Sequence, residues 1–138
     1  RIGKGIALAL ASDGYDVVIH FSESKTDAQN LRDQLEQLGI IATCLKADLM
    51  DDRQISSLVD RACESLGNEL TLLINNASIF EYDNIKTASL ENWDAHFKSN
   101  LQAPFFLTKK FAEQAPEVTI SEKGEKKSNA NIINIFTQ

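Results

Sequence analysis

The sequence predicts an α/β protein in which a parallel sheet is covered by helices on both faces. Three observations support this prediction. Hydrophobic spacing alternates between the helical and the strand period, the strand segments are runs of Val, Ile and Leu, and glycines close the helical segments. Strands buried on both faces are joined by crossover helices, so polar residues at their carboxyl ends are candidates for a ligand site.

Composition describes one globular domain over residues 1–138. The chain has 14 Lys and Arg against 20 Asp and Glu, and its net charge is −6, so it carries no field that would attract nucleic acid. No apolar run reaches the roughly 18 residues of a membrane span, and no signal peptide is recognisable, so we expect a cytoplasmic protein. Cys44 and Cys63 are predicted to be buried, reduced thiols, too isolated for a zinc site, and we expect no metal.

The first half of the chain predicts the order αβαβαβ. Three helices that end near Gly14, Gly39 and Gly67 alternate with strands at 16–20, 40–45 and 70–74.

The second half predicts a helical region, an exposed loop and a strand. Pro104 should divide the helical region 89–111 into two helices near 100–103. The polar stretch 121–129 is predicted to be an exposed loop, and 132–136 a last buried strand. The three phenylalanines of the helix at 103–113 cannot all face one core, and an exposed aromatic side chain there would fit a contact in a homo-oligomer, a dimer or tetramer.

Polar residues follow the predicted strands. Gly3 opens a helix, which is either an ordinary first turn or the end of a phosphate-binding loop. Asp48 is placed to accept from an adenine amino group, whereas Asp51 is preferred as the cap of the next helix. The amides of Asn75 and Asn76 must find partners, because an unsatisfied buried amide costs on the order of 1–3 kcal/mol.

Five segments in this order resemble the short-chain dehydrogenase/reductase family: Arg1-Ile2-Gly3, Asp48-Leu49, Asn75-Asn76-Ala77-Ser78, Asn100-Leu101, and Ile132 to Ile135 before Thr137. The resemblance covers essentially the whole chain. It implies a Rossmann-type, doubly wound three-layer αβα fold that lacks its first strand and its C-terminal part. It also implies a nicotinamide-dependent oxidoreductase with these cofactor-binding residues: Arg1, Ile2, Gly3, His20, Phe21, Ser22, Asp48, Leu49, Asn76, Ala77 and Ser78.

The resemblance also implies the catalytic residues. In the family, a tyrosine, a lysine four residues later, a serine and an asparagine pass a proton to the substrate. Asn100 matches the asparagine, and Thr137 matches the serine position while keeping a hydroxyl. Tyr82 and Lys86 have the Tyr-x3-Lys spacing but precede Asn100, so we interpret them as part of a loop and expect the true pair beyond Gln138.

Substrate and cofactor are indicated more narrowly. Ser78, Arg1 and Phe80 resemble the substrate residues of the pteridine reductase branch, in which an aromatic side chain stacks on a pterin. Thr137 departs from that branch, which has an acid at this position. The segment 20–22 has no acid to repel a 2′-phosphate, so NADP(H) is favoured over NAD(H), although Glu23 argues against it.

The chain starts without Met on a helix, so we expect it to be part of a longer protein. The family resemblance implies ~240–260 residues, still a single doubly wound domain. We expect this part alone to be inactive. The sequence leaves open a small carbonyl or pterin-like substrate, a general carbonyl or 3-oxoacyl reductase, and a non-catalytic dinucleotide-binding redox sensor.

Overall fold

The computed structural model describes residues 2–135. They form two compact units, an N-terminal one that ends at Gly67 and a C-terminal one that begins at Asn68.

The N-terminal unit has the predicted alternation of helices and strands. Its elements are α1 (Ile2–Ser12), β1 (Val17–Phe21), α2 (Lys25–Glu36), β2 (Ala42–Lys46) and α3 (Asp52–Leu66). Gly67 closes α3 in the left-handed conformation, with φ of 70°, and its N–H donates to the carbonyl of Cys63. Glycine is favoured there because a Cβ is strained at positive φ.

The two strands of this unit are parallel and covered on both faces. Val17 pairs with Ala42 and Phe21 with Lys46, so both strands end at the same edge. Alternate residues of β2 face opposite helices. The Sγ of Cys44 donates to the α2 carbonyl of Ala28, whereas the Thr43 hydroxyl bonds Ser65 of α3. The core joins α1, α2 and β2 through Ala7, Ala11, Leu31, Leu35 and Ala42.

The C-terminal unit contains a second parallel pair and two helices. Its elements are β3 (Leu72–Asn75), α4 (Leu90–Phe97), a π-helical segment (Lys98–Gln102), α5 (Ala103–Gln114), β4 (Thr119–Ile120), β5 (Lys126–Lys127) and β6 (Asn131–Asn134). β3 and β6 are parallel, and Asn75 pairs with Asn134. The prediction of an α/β chain with parallel strands is confirmed.

Pro104 divides the helical region as predicted, but without a loop. It lies in the first turn of α5, and the preceding turn is π-helical, with the N–H of Ala103 donating to the carbonyl of Lys98. Because proline has no N–H, the carbonyl of Asn100 loses its usual i→i−4 donor. The wider turn therefore carries Asn100 in the manner of the π-bulges found at functional sites.

Three predictions need correction. The polar stretch 121–129 is exposed but is not only a loop: β4 and β5 form an antiparallel pair around Gly124, and strands of two residues are too short to show a period. β6 is exposed rather than buried, since within residues 2–135 it pairs only with β3. Cys44 and Cys63 form no disulfide within residues 2–135, but both are only half-buried.

Candidate functional site

Asp48 lies in a tight turn just beyond the end of β2. One of its carboxylate oxygens, Oδ1, accepts from the N–H of Met50 at 2.8 Å, and its own N–H donates to Oε1 of Gln54 at 2.9 Å. The side chain is exposed, and the turn holds it at the edge where both strands end. A fixed, exposed carboxylate can accept a hydrogen bond from an amino group such as that of adenine. Leu49, the next residue, is half-buried.

Asp51 caps α3, as predicted. Its Oδ1 accepts from the N–H groups of Arg53 and Gln54 at 2.9 and 3.4 Å, and its Oδ2 accepts from Nε2 of Gln54 at 2.9 Å. The Gln54 side chain, followed by the Arg53 backbone, lowers the pKa of Asp51. Sequence reasoning missed Gln54, although the spacing of Asp51 and Gln54 is that of a capping box. Its amide links the cap to Asp48.

His20 holds the other side of the same turn. Its Nε2 lies 2.9 Å from the carbonyl oxygen of Ala47, and because a carbonyl only accepts, Nε2 carries the hydrogen. Burial, with a smaller contribution from the charge of Arg61, lowers the pKa of His20 below its ordinary value of 6.5. The ring is therefore neutral at pH 7. The adjoining Phe21 and Ser22 are half-buried.

Asn75 and Asn76, at the end of β3, differ in burial. Asn75 is 8% exposed, and its Nδ2 donates to Oδ1 of Asn134 on β6 at 2.8 Å. Asn76 is half-buried, and Ala77 and Ser78 are exposed. The requirement that a buried amide at this position find a partner is thus met for Asn75 across the strand pair.

Asn100 fixes the loop that follows these residues. Its Oδ1 accepts from the N–H of Ile79, and its Nδ2 donates to the carbonyl of Ile79, both at 2.9 Å. The side-chain amide thus pairs with one backbone residue as a neighbouring strand would. Because Asn100 lies on the π-helical segment, it connects the loop that carries the exposed residues Ala77, Ser78 and Phe80 to a helix.

His96 is a second anchor of this loop that sequence reasoning missed. Its Nε2 accepts from the N–H of Glu81 at 3.1 Å, and its Nδ1 lies 2.7 Å from the carbonyl of Asn92, to which it donates. Phe80, between the two anchored residues, is 69% exposed. His96 belongs to no sequence motif, so no pattern in the sequence would have indicated that it anchors this loop.

The predicted site residues fall into four groups. His20, Phe21, Ser22, Asp48 and Leu49 lie together at one edge of the N-terminal unit, while Ile2 is exposed and Gly3 half-buried in the first turn of α1.

In the C-terminal unit, Asn76, Ala77, Ser78, Phe80 and Asn100 belong to one loop and its anchor. Tyr82 is 85% exposed in a loop, as predicted for it and Lys86. Arg1 and Thr137 lie outside the described residues.

No helix within residues 2–135 has the length and apolar character needed to cross a membrane.

Parallel strands that end in fixed polar side chains, with helices between them, define the class of dinucleotide-binding α/β proteins. The family model described as short chain dehydrogenase matches residues 1–138. The chain belongs to the short-chain dehydrogenase family and has its Rossmann-like fold.

Three similar proteins illustrate the relationship. The structure of FolM alternative dihydrofolate reductase 1 from Brucella suis, in complex with NADP, is 30% identical with a TM-score of 0.83, and the match covers 97% of this chain and 51% of that one. Short chain dehydrogenase claC of Passalora fulva is 31% identical over 108 residues, which are 78% of this chain and 40% of the relative. The 3-oxoacyl-[acyl-carrier-protein] reductase FabG of Staphylococcus aureus is 26% identical over 113 residues, 82% and 46% of the two chains. The chain thus spans about half the length of the proteins it matches.

Proposed function

We propose that the full-length protein is a cytoplasmic NADPH-dependent reductase that acts on a small carbonyl or pterin-like substrate. The observation that carries the proposal is the paired bond from Asn100 to Ile79, which fixes the loop with Ser78 and Phe80 exposed. A loop held from a helix keeps its exposed side chains in a fixed arrangement, as a binding site requires. Cys44 and Cys63 are not joined in a disulfide, which fits a reducing compartment.

The residues at the edge of β1 and β2 fit the adenosine half of such a cofactor. Asp48 has a carboxylate held by its own turn and exposed, suited to accept from the adenine amino group. Phe21 and Ser22 end the strand without an acid, which favours the phosphorylated nucleotide. The NADP bound in the Brucella suis relative supports the same cofactor. When bound, the nicotinamide supplies the hydride.

The C-terminal unit would hold the nicotinamide half and the substrate. Asn76, Ala77 and Ser78 would line the cofactor, with Ser78, Phe80 and, outside the described residues, Arg1 contacting the substrate. Phe80 offers a ring face for a flat heteroaromatic substrate, and such stacking adds roughly 0.5–1.5 kcal/mol. The dihydrofolate reductase relative supports a pterin-like substrate, and the 3-oxoacyl reductase relative supports the alternative.

Proton delivery would need residues other than those described here. Both the Oδ1 and the Nδ2 of Asn100 are engaged with Ile79, so its side chain orients the loop and one Nδ2 hydrogen remains for another partner. Within residues 2–135, the Tyr-x3-Lys spacing at Tyr82 falls in a loop, where the two side chains do not share a helix face. We therefore propose that a later tyrosine delivers the proton, aided by a lysine four residues after it and by the Thr137 hydroxyl, and that residues 1–138 alone show no turnover.

The experiment is NADPH oxidation by the full-length protein with dihydrobiopterin, dihydrofolate and an acetoacetyl thioester. We expect turnover of a pterin, and Phe80→Leu should raise the KM for it by about 2- to 12-fold, because the lost stacking is worth roughly 0.5–1.5 kcal/mol. Tyr82→Leu, an exposed aromatic two residues further along the same loop, is the matched control and should leave KM unchanged. Turnover of the thioester alone would establish the 3-oxoacyl alternative. Nucleotide binding without turnover of any substrate would favour a redox sensor.

We also propose that the protein forms a homo-oligomer through α5. Phe111 of this helix is buried, whereas Phe105 and Phe106 are 63% and 42% exposed and contact each other edge to face, with centroids 5.4 Å apart. An exposed aromatic pair on one helix is typical of a protein contact. Phe105→Glu should convert a dimer or tetramer to a monomer in light scattering, and an unchanged mass would contradict the proposal.

A further inference from the structure

The edge where β1 ends carries a charge that disagrees with a phosphorylated cofactor. In dinucleotide-binding folds, an acid at this place favours the free ribose hydroxyl, and a cation accommodates the 2′-phosphate. Here Glu23 lies two residues beyond β1, and its side chain is 87% exposed. A carboxylate beside a phosphate that carries a charge of about −1.5 to −2 is repulsive unless a cation compensates it.

The compensating cation comes from the neighbouring strand. Lys46 is the last residue of β2 and the register partner of Phe21, the last residue of β1. Its Nζ lies 3.8 Å from Oε1 of Glu23, so it reaches the loop between β1 and α2. The Lys46 backbone is hydrogen-bonded to α3, because Nη2 of Arg61 donates to the Lys46 carbonyl at 3.1 Å. Sequence reasoning did not single out Lys46, since α2 and most of β2 lie between it and Glu23, 23 positions earlier in the chain.

Other cations near this edge are less suited to the phosphate. His20 uses its Nε2 hydrogen on Ala47 and is held neutral by burial, so it contributes no charge. Arg32 is paired with Asp33 at 2.6 Å. Lys25, the first residue of α2, is exposed, and only its backbone N–H contacts Glu23, by donating to the Glu23 carbonyl at 2.8 Å.

We infer that Lys46 binds the 2′-phosphate of NADP(H) and is the residue that selects the phosphorylated nucleotide. The inference rests on the proposed function and names its specificity determinant. When the nucleotide binds, Lys46 leaves Glu23 and pairs with the phosphate, and little free energy is lost because an exposed ion pair contributes little to stability. A phosphate has more charge and more acceptor oxygens than a carboxylate, so it is the stronger partner. Glu23, being exposed, turns toward solvent.

The test compares binding of NADPH and NADH by calorimetry, using the full-length protein. Lys46→Gln should raise the Kd for NADPH about 12- to 160-fold, because a charge-assisted hydrogen bond contributes about 1.5–3 kcal/mol, and should change the Kd for NADH less than about twofold. Glu23→Gln should lower the Kd for NADPH by about threefold, since it removes a repulsive charge. Lys25→Gln is the matched control at the same corner and should leave the ratio of the two Kd values unchanged.

The outcomes distinguish an error in the assignment of Lys46 from an error in the proposed reductase function. If unsubstituted protein prefers NADPH but Lys46→Gln leaves the ratio unchanged, or Lys25→Gln reduces it equally, the assignment of Lys46 is wrong while the reductase proposal stands. If unsubstituted protein binds neither nucleotide, both are wrong. Rising salt should also reduce the preference of the unsubstituted protein for NADPH over NADH, as Lys46→Gln does, because an exposed ionic contact is screened. In Lys46→Gln, salt should change this preference much less.

Discussion

Replacing Asn100 with alanine tests whether this side chain holds the loop at Ile79. The substitution removes both 2.9 Å bonds, and at about 1 kcal/mol for each neutral bond the loss is about 2 kcal/mol. Alanine recovers about 0.5 kcal/mol of helix propensity, which leaves a net loss of about 1.5 kcal/mol. For a chain of 138 residues that corresponds to a fall in Tm of about 5 °C.

Two measurements check this value. Thermal and urea unfolding followed by circular dichroism give the free energy of unfolding, and amide hydrogen exchange by NMR reports on the Ile79 N–H itself. Asn100→Asp keeps an acceptor for that N–H but faces the Ile79 carbonyl with a charge, so it should cost about 1 kcal/mol while the amide stays protected. In Asn100→Ala the same amide should exchange far faster.

Asn30→Ala is the matched control for Asn100→Ala. Asn30 is exposed on α2, so the same exchange of residue types should be neutral or slightly stabilising through propensity alone. If the free energy of unfolding of Asn100→Ala lies within about 0.5 kcal/mol of that of the unsubstituted chain, the usual range for a surface substitution, Asn100 does not stabilise the loop at Ile79. Unchanged exchange at Ile79 would show the same independently.

Three further predictions concern the N-terminal unit. Because the folded pKa of His20 is lowered, the unfolded chain binds more protons below pH 6.5; stability should fall as pH drops from 6.5 toward the folded pKa, and His20→Gln should flatten that part of a pH series of urea midpoints. Asp51→Ala should cost about 1 kcal/mol in the same unfolding assay, and Asp51→Asn, which still caps, much less; equal losses would contradict a capping role. Gly67→Ala, at φ of 70°, should lower stability by about 1 kcal/mol, whereas Gly5→Ala within α1, with open space around a new Cβ, should raise it by up to about 1 kcal/mol; the same sign for both would show that φ does not decide the effect.

The fold was predictable wherever a local rule was decisive. Glycine after an apolar helix, as at Gly67, and proline within one, as at Pro104, act through backbone sterics that the sequence states directly. Asp51 was predictable for the same reason, since a cap is a local interaction. The π-helical turn before Pro104 was not, because several ways of accommodating a missing N–H are similar in free energy.

The positions of the candidate residues in the fold were more predictable than their contacts. Asp48 was singled out by its position after a strand and Asn100 by the family resemblance, but their partners Gln54 and Ile79 depend on tertiary placement. His96 and Lys46 carry no motif at all. The exposure of β6 also could not be predicted, since an apolar strand sequence states that a strand is suited to burial and not whether its faces are covered.

Both candidate loops are held in the same way, by a side chain of the helix that follows in the chain. After β2, Gln54 of α3 accepts from the N–H of Asp48; after β3, Asn100 of the π-helical segment brackets Ile79. Both Gln54 and Asn100 are amides, which supply a donor and an acceptor without a charge, so the bonds of these two side chains do not change with pH near neutrality. A carboxylate such as Asp48 is thereby oriented by neutral partners and keeps its charge for a ligand. Loops that must present polar groups to a bound molecule need this rigidity, because every side chain ordered only on binding reduces affinity by about 0.5–1.5 kcal/mol.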